Sequence, residues 1–145
     1  MSAKTEGDAP TGVPEGFEPL ARTSPLVELL GPFYSRGAGS GFVLAVRVAE
    51  KHANARGIAH GGVLLTLADV ALGYAAEGSV DLPVRLITAS LSADFAGSAR
   101  VGEWVEARVD VQRVGGRRSP SRTPTCTWAT GAWCGRAPCS PAPTP

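Results

Sequence analysis

Ten consecutive residues, His60-Gly61-Gly62-Val63-Leu64-Leu65-Thr66-Leu67-Ala68-Asp69, hold the groups in this chain best suited to chemistry. They read as a loop that ends in two glycines and opens directly into a helix, with one carboxylate two turns further in. Glycine places no Cβ between the backbone and an approaching polar atom. The first amides of a helix lack internal partners and carry the positive end of its macrodipole. Together these features offer a socket for a carbonyl oxygen that is gaining negative charge. The plain alternative for the glycines is loop-to-helix punctuation. For Asp69 it is a solvated helical turn, which fits poorly beside Leu67, Ala68, Val70 and Ala71 with no Lys or Arg nearby.

Several elements must position this run. Ser24-Pro25 supplies an N-cap and a first-turn proline for a short helix through Leu30, stopped by Gly31-Pro32. Phe42 to Glu50 alternates as a strand with Phe42, Leu44, Val46 and Val48 on one face. Lys51 to Gly57 reads as a polar connection, with His52 facing solvent. From Gly62 to about Glu77 the period becomes helical, with Val63, Leu67, Val70, Ala71 and Tyr74 on one stripe. Ala68, Ala71, Gly73, Ala75 and Ala76 keep that helix thin, as expected of one enclosed by a curved sheet. Val84 to Phe95 and Val101 to Val114 then alternate as two strands of a hairpin with one wet face, joined by residues 96–100.

The two ends differ in character. Residues 1–24, rich in Gly, Pro and acids and without periodicity, are expected to form a disordered N-terminal arm. Residues 115–145 contain no Val, Ile, Leu, Phe, Tyr, Asp or Glu, yet hold six of the twelve prolines and all three cysteines. Proline at that density cannot form a central strand. Composition suggests a basic, disordered tail. A shifted reading frame is the sharper alternative: with GC-rich codons, Arg118 through Trp128 can be reread as RVAFADAYLYM, which alternates like a closing strand. The spacing of Cys126, Cys134 and Cys139 matches no zinc pattern.

At 145 residues the chain is expected to form one domain. A net charge of +1 and sparse aromatics give no case for nucleic acid. No run of 18 apolar residues and no signal peptide are present, so no membrane partner is expected and a cytoplasmic location is the default. An odd number of cysteines does not suggest a disulfide framework. Serine-hydrolase elbows, Walker loops and metal-binding His/Glu motifs are absent, so no metal and no cofactor are expected.

The order short helix, strand, His-Gly-Gly, long helix, long strands resembles the hotdog fold, an α+β architecture in which a curved antiparallel sheet wraps around one central helix. Asn54, His60, Gly61, Gly62 and Asp69 match the spacing of the PaaI-like acyl-CoA thioesterases: Asn, His-Gly-Gly six residues on, and Asp nine residues after the His. The resemblance covers residues 25–114, taken as the thioesterase domain. It ends where the family supplies a further apolar strand and this chain supplies none.

This resemblance implies hydrolysis of a small acyl- or aryl-acyl-coenzyme A by water, in a homodimer or homotetramer. Asp69 would act as general base for the attacking water or as direct nucleophile. Gly61, and with it Gly62, would polarise the thioester oxygen through backbone N–H. His60 would position the loop or serve only to fix the turn. Asn54 would orient water or bond His60, against the alternative of an ordinary turn asparagine. Thr88 matches a Ser or Thr that the family points toward the acid. Gly61 and Asp69 lie eight residues apart, about 12 Å along one helix. A twofold dimer would bring the helix start of one chain to the acid of the other. The alternatives are a non-catalytic acyl-CoA-binding or regulatory protein, an inactive frameshifted product, or a hydratase, which the Asn54/His60/Asp69 register disfavours.

Overall fold

The computed structural model describes residues 12–79, 87–88 and 90–109. Along the chain run β1 (Glu18–Pro19), α1 (Pro25–Leu30), β2 (Phe33–Arg36), a 3-10 turn (Gly39–Gly41), β3 (Val43–Arg47), a second 3-10 turn (Glu50–His52), α2 (Gly61–Glu77) and β4 (Trp104–Arg108). The four strands form one antiparallel sheet in the order β1-β2-β3-β4. Helix α2 packs on one face of it, giving the expected α+β arrangement.

Strand alternation sorts the side chains between two clusters. Phe33, Leu44, Val46, Val105 and Ala107 share the face that meets Leu67, Ala71 and Ala75 of α2. Phe42 and Val48 flank β3 in the same cluster, so the face expected for this strand is the one that is buried. Small side chains on α2 let the helix lie close to the sheet: Ala71 and Ala75 are completely buried. Near its far end, Gly39 adopts φ +55°, and a Cβ there would come within 3.1 Å of the Gly78 carbonyl oxygen. Glycine is what permits this approach of backbone to backbone.

The opposite face carries a second, aromatic cluster of Phe17, Tyr34, Val43, Ala45 and Trp104. Phe17 meets Trp104 edge-on, with ring centroids 5.2 Å apart. Arg47 lies over the Trp104 ring and Arg36 over Phe17. Glu106 pairs with both Arg36 and Arg108.

This cluster corrects the expectation of a disordered arm over residues 1–24. Residues 1–11 lie outside the described residues, but Phe17 is buried and β1 pairs with β2. Arg22 then ties the segment to the end of α2. It forms an ion pair with Glu77, lies over the Tyr74 ring, and its carbonyl accepts a 2.9 Å hydrogen bond from the Tyr74 hydroxyl. The Glu77 hydrogen bond and charge hold the Arg22 guanidinium above its usual pKa. A segment without periodicity can still be anchored by two or three well-placed contacts.

Much of the expected hairpin, residues 84–86, 89 and 110–114, lies outside the described residues, and the described part of its first strand is not extended into a ladder. Among the described residues β4 pairs with β3, Val46 opposite Val105, and residues 90–98 join no strand. Alternation shows which side chains share a face and carries no information on the neighbouring strand. Nor is the outer side of β4 fully wet, since Trp104 is buried there. Strand β2 leaves no signal in the sequence, because four residues between Pro32 and a glycine-rich turn carry too short a period to read. Residues 80–86, 89 and 110–145, with the Cys126, Cys134 and Cys139 tail and its alternative frame, lie outside the described residues.

Candidate active site

The loop before α2 doubles back on itself. Ala53 and Ala59 form an antiparallel bridge, Asn54 N–H donates to the Ile58 carbonyl at 2.8 Å, and His60 N–H donates to the His52 carbonyl at 2.8 Å. The turn at the tip is made by Asn54, whose Oδ1 accepts from Arg56 N–H at 2.8 Å, and by Gly57 at φ +72°. Asn54 is therefore a turn-former, and its side-chain oxygen bonds Arg56 rather than His60. Its amide nitrogen has no bond among the described residues and remains available as a donor.

His52 does not face solvent; it is 1% exposed. Its Nδ1 accepts from Ala49 N–H at 2.9 Å, which places the ring proton on Nε2, where it is donated to the Leu30 carbonyl at 2.6 Å. His52 thus joins the end of α1 and the 3-10 turn through its ring, and the His60 loop through its main-chain carbonyl. Nothing in the surrounding polar residues signalled this burial.

At the start of α2, His60 is the N-cap. Its Nδ1 accepts from Gly62 N–H at 3.2 Å. That bond occupies the Gly62 amide, so the backbone donor expected of Gly62 is engaged within the chain. Gly61 N–H has no acceptor among the described residues. Gly61 does not lie in the left-handed region, and the atoms nearest a Cβ added there belong to the Phe95 ring, whose Cζ is 3.2 Å away. Its lack of a side chain reflects space and not backbone geometry.

Two turns on, Asp69 is partly buried, and its Oδ1 accepts a 2.5 Å hydrogen bond from the Thr88 hydroxyl. Thr88 orients the carboxylate and leaves Oδ2 free of protein donors among the described residues. The structure therefore brings together Asp69 with Thr88, and His60 with Gly62 beside Gly61. It keeps Asn54 at the tip of its own turn. Among the described residues no three His, Cys, Asp or Glu side chains gather as a metal site, and no helix is long and apolar enough to cross a membrane.

Residues 56–119 match the family model for the thioesterase superfamily. A Pseudomonas aeruginosa protein, PA0474, whose name marks it provisionally as an esterase, is 53% identical over 106 residues, 72% of this chain and 79% of that protein. The chain belongs to the thioesterase superfamily. Among solved structures, the TT0310 protein of Thermus thermophilus is 29% identical with a TM-score of 0.58, covering 66% of this chain and 79% of its own. An Asn-to-Asp variant of the phenylacetic acid degradation protein PaaI from the same organism is 28% identical with a TM-score of 0.56, covering 63% and 76%. Zebrafish thioesterase superfamily member 2, at 24% identity, TM-score 0.57 and coverage of 63% and 67%, shares the fold. The hotdog architecture follows from these neighbours, and the family together with the relative's name makes this thioesterase-superfamily chain a hydrolase.

Proposed function

We propose that this protein hydrolyses the thioester of an acyl- or aryl-acyl-coenzyme A, with each site shared between two subunits. The observation that carries this reading is the pairing of a free Gly61 N–H at the α2 start with an Asp69 carboxylate oriented by Thr88. On one helix the two stand about 12 Å apart, too far to serve one carbonyl group. A twofold dimer supports both roles at once. Gly61 N–H of one chain donates to the carbonyl oxygen, and Asp69 of the facing chain removes a proton from water. The water oxygen bonds to the carbonyl carbon, the C–S bond breaks, and the proton passes to the departing thiolate. The PaaI neighbour, named for phenylacetic acid degradation, supports an aryl-acyl substrate.

Subunit mixing tests both halves of the proposal. Gly61→Ala and Asp69→Ala chains are each expected to release almost no thiol from acyl-CoA. After unfolding and refolding together, half the dimers are mixed and each contains one intact site. Activity should then return to roughly a quarter of wild type. No recovery would place both groups within one chain, and Asp69→Ala turnover equal to wild type would remove the carboxylate from the chemistry.

A further inference from the structure

His52 is buried, bonded at both ring nitrogens, and unused by the chemistry just described. A buried imidazole is costly unless each ring nitrogen finds a partner, and here each does. Its Nε2 reaches 22 residues back to the Leu30 carbonyl at the end of α1, a helix that Val27 anchors in the core. The neighbouring Lys51 Nζ closes on the Leu29 and Gly31 carbonyls of the same helix end. On the other side, the His52 carbonyl accepts from His60 N–H at 2.8 Å. The bridge of Ala53 with Ala59, and the bond from Ala59 N–H to the Ala99 carbonyl at 2.7 Å, hold the segment that leads in. Neither engages the N–H of residue 60, whose acceptor is His52.

The Gly61 N–H shares its peptide with the His60 carbonyl, which accepts from Val63 N–H at 2.9 Å. In a trans peptide these two groups point in opposite directions. With the carbonyl turned into α2, the N–H points out of the helix start. A tilt at residue 60 therefore re-aims this donor. We propose that His52 is a positioning residue for the Gly61 donor. Its ring fixes the 3-10 turn to α1, and its carbonyl passes that position on to the His60–Gly61 peptide. The inference rests on the thioester-hydrolase reading above and deepens it.

Amide side chains separate the two ring bonds. His52→Asn keeps an acceptor near the Nδ1 position for Ala49 N–H, and His52→Gln keeps a donor near the Nε2 position for the Leu30 carbonyl. Val43→Ala opens a cavity in the cluster on the far face of the sheet and controls for lost stability alone. The test reads kcat and KM on the better of hexanoyl- and benzoyl-coenzyme A, with exchange of the His60 amide hydrogen followed by NMR. His52→Asn should lower kcat about tenfold with KM little changed, because a small misplacement of a catalytic group costs rate. Its His60 amide should exchange faster than in wild type. His52→Gln should retain most of kcat, and Val43→Ala should melt several degrees lower with kcat intact. Three results overturn the proposal while the loss of activity in Asp69→Asn keeps the hydrolase reading: kcat that merely follows melting temperature, His52→Gln no better than His52→Asn, or His60 exchange unchanged in His52→Asn. A wild type no faster than Asp69→Asn would remove the hydrolase reading and this proposal with it.

Discussion

The start of α2 and its third turn differ in what holds their functional groups. At the start the working group is a peptide N–H, and a web of hydrogen bonds through two imidazole rings and the backbone surrounds it: His60 to His52, His52 to Ala49 and Leu30, Gly62 to the His60 ring. At Asp69 the working group is a side chain, and one hydroxyl, that of Thr88, orients it. The first is difficult to delete and easy to obstruct. The second is easy to delete. Preorganisation therefore resides in the loop, and the reactive charge resides on a less tightly held group.

Substitutions can break this contrast, and the largest effect is expected at the acid. Asp69→Ala removes the only proposed proton acceptor and should lower kcat by about a thousandfold, as for other general bases. Circular dichroism and melting should be nearly unchanged, because the residue contributes little to the core.

His52→Ala probes the web. It strands the Ala49 N–H and Leu30 carbonyl and should cost about 3 kcal/mol of stability, read from a denaturant midpoint. A cost under about 1 kcal/mol would show that the loop holds itself without this ring.

Gly61→Ala obstructs the helix start without straining its backbone and should reduce kcat/KM about a hundredfold, the range for loss of one oxyanion donor. If the ring of Phe95 is what the new methyl displaces, adding Phe95→Ala should restore part of that loss on acetyl-coenzyme A.

Thr88→Ala should reduce kcat about tenfold, the value of one hydrogen bond to a charged group, with Thr88→Ser retaining most of the activity. The smallest effect is expected at Arg22→Ala. Its ion pair with Glu77 is exposed, and such pairs contribute little in water, so melting should scarcely move.

The site was legible to unequal degrees. The His60–Asp69 run announced itself because glycines, a helix start and an isolated acid follow local spacing. The link from Asp69 to Thr88 comes only through family resemblance, since no periodic pattern carries the register from one to the other. Asn54 was legible as a turn asparagine or a ligand, and its bond to Arg56 favours the first. His52 looked like a solvated residue in a polar stretch, because burial depends on what packs over it and not on its neighbours in the chain. Phe95 reads in the sequence only as one more residue of an alternating strand.

Local periodicity alone decided that a thin helix would follow the glycines, that Phe42, Leu44, Val46 and Val48 would share a buried face, and that Ser24 would cap α1. Each depends on residues within a few positions of one another, where backbone geometry leaves little choice. Tertiary structure decided that β4 would pair with β3, that the N-terminal segment would cover Trp104, that His52 would be enclosed, and that Phe95 would lie on Gly61. Those contacts join residues far apart in the chain, and no local period constrains which distant surfaces meet.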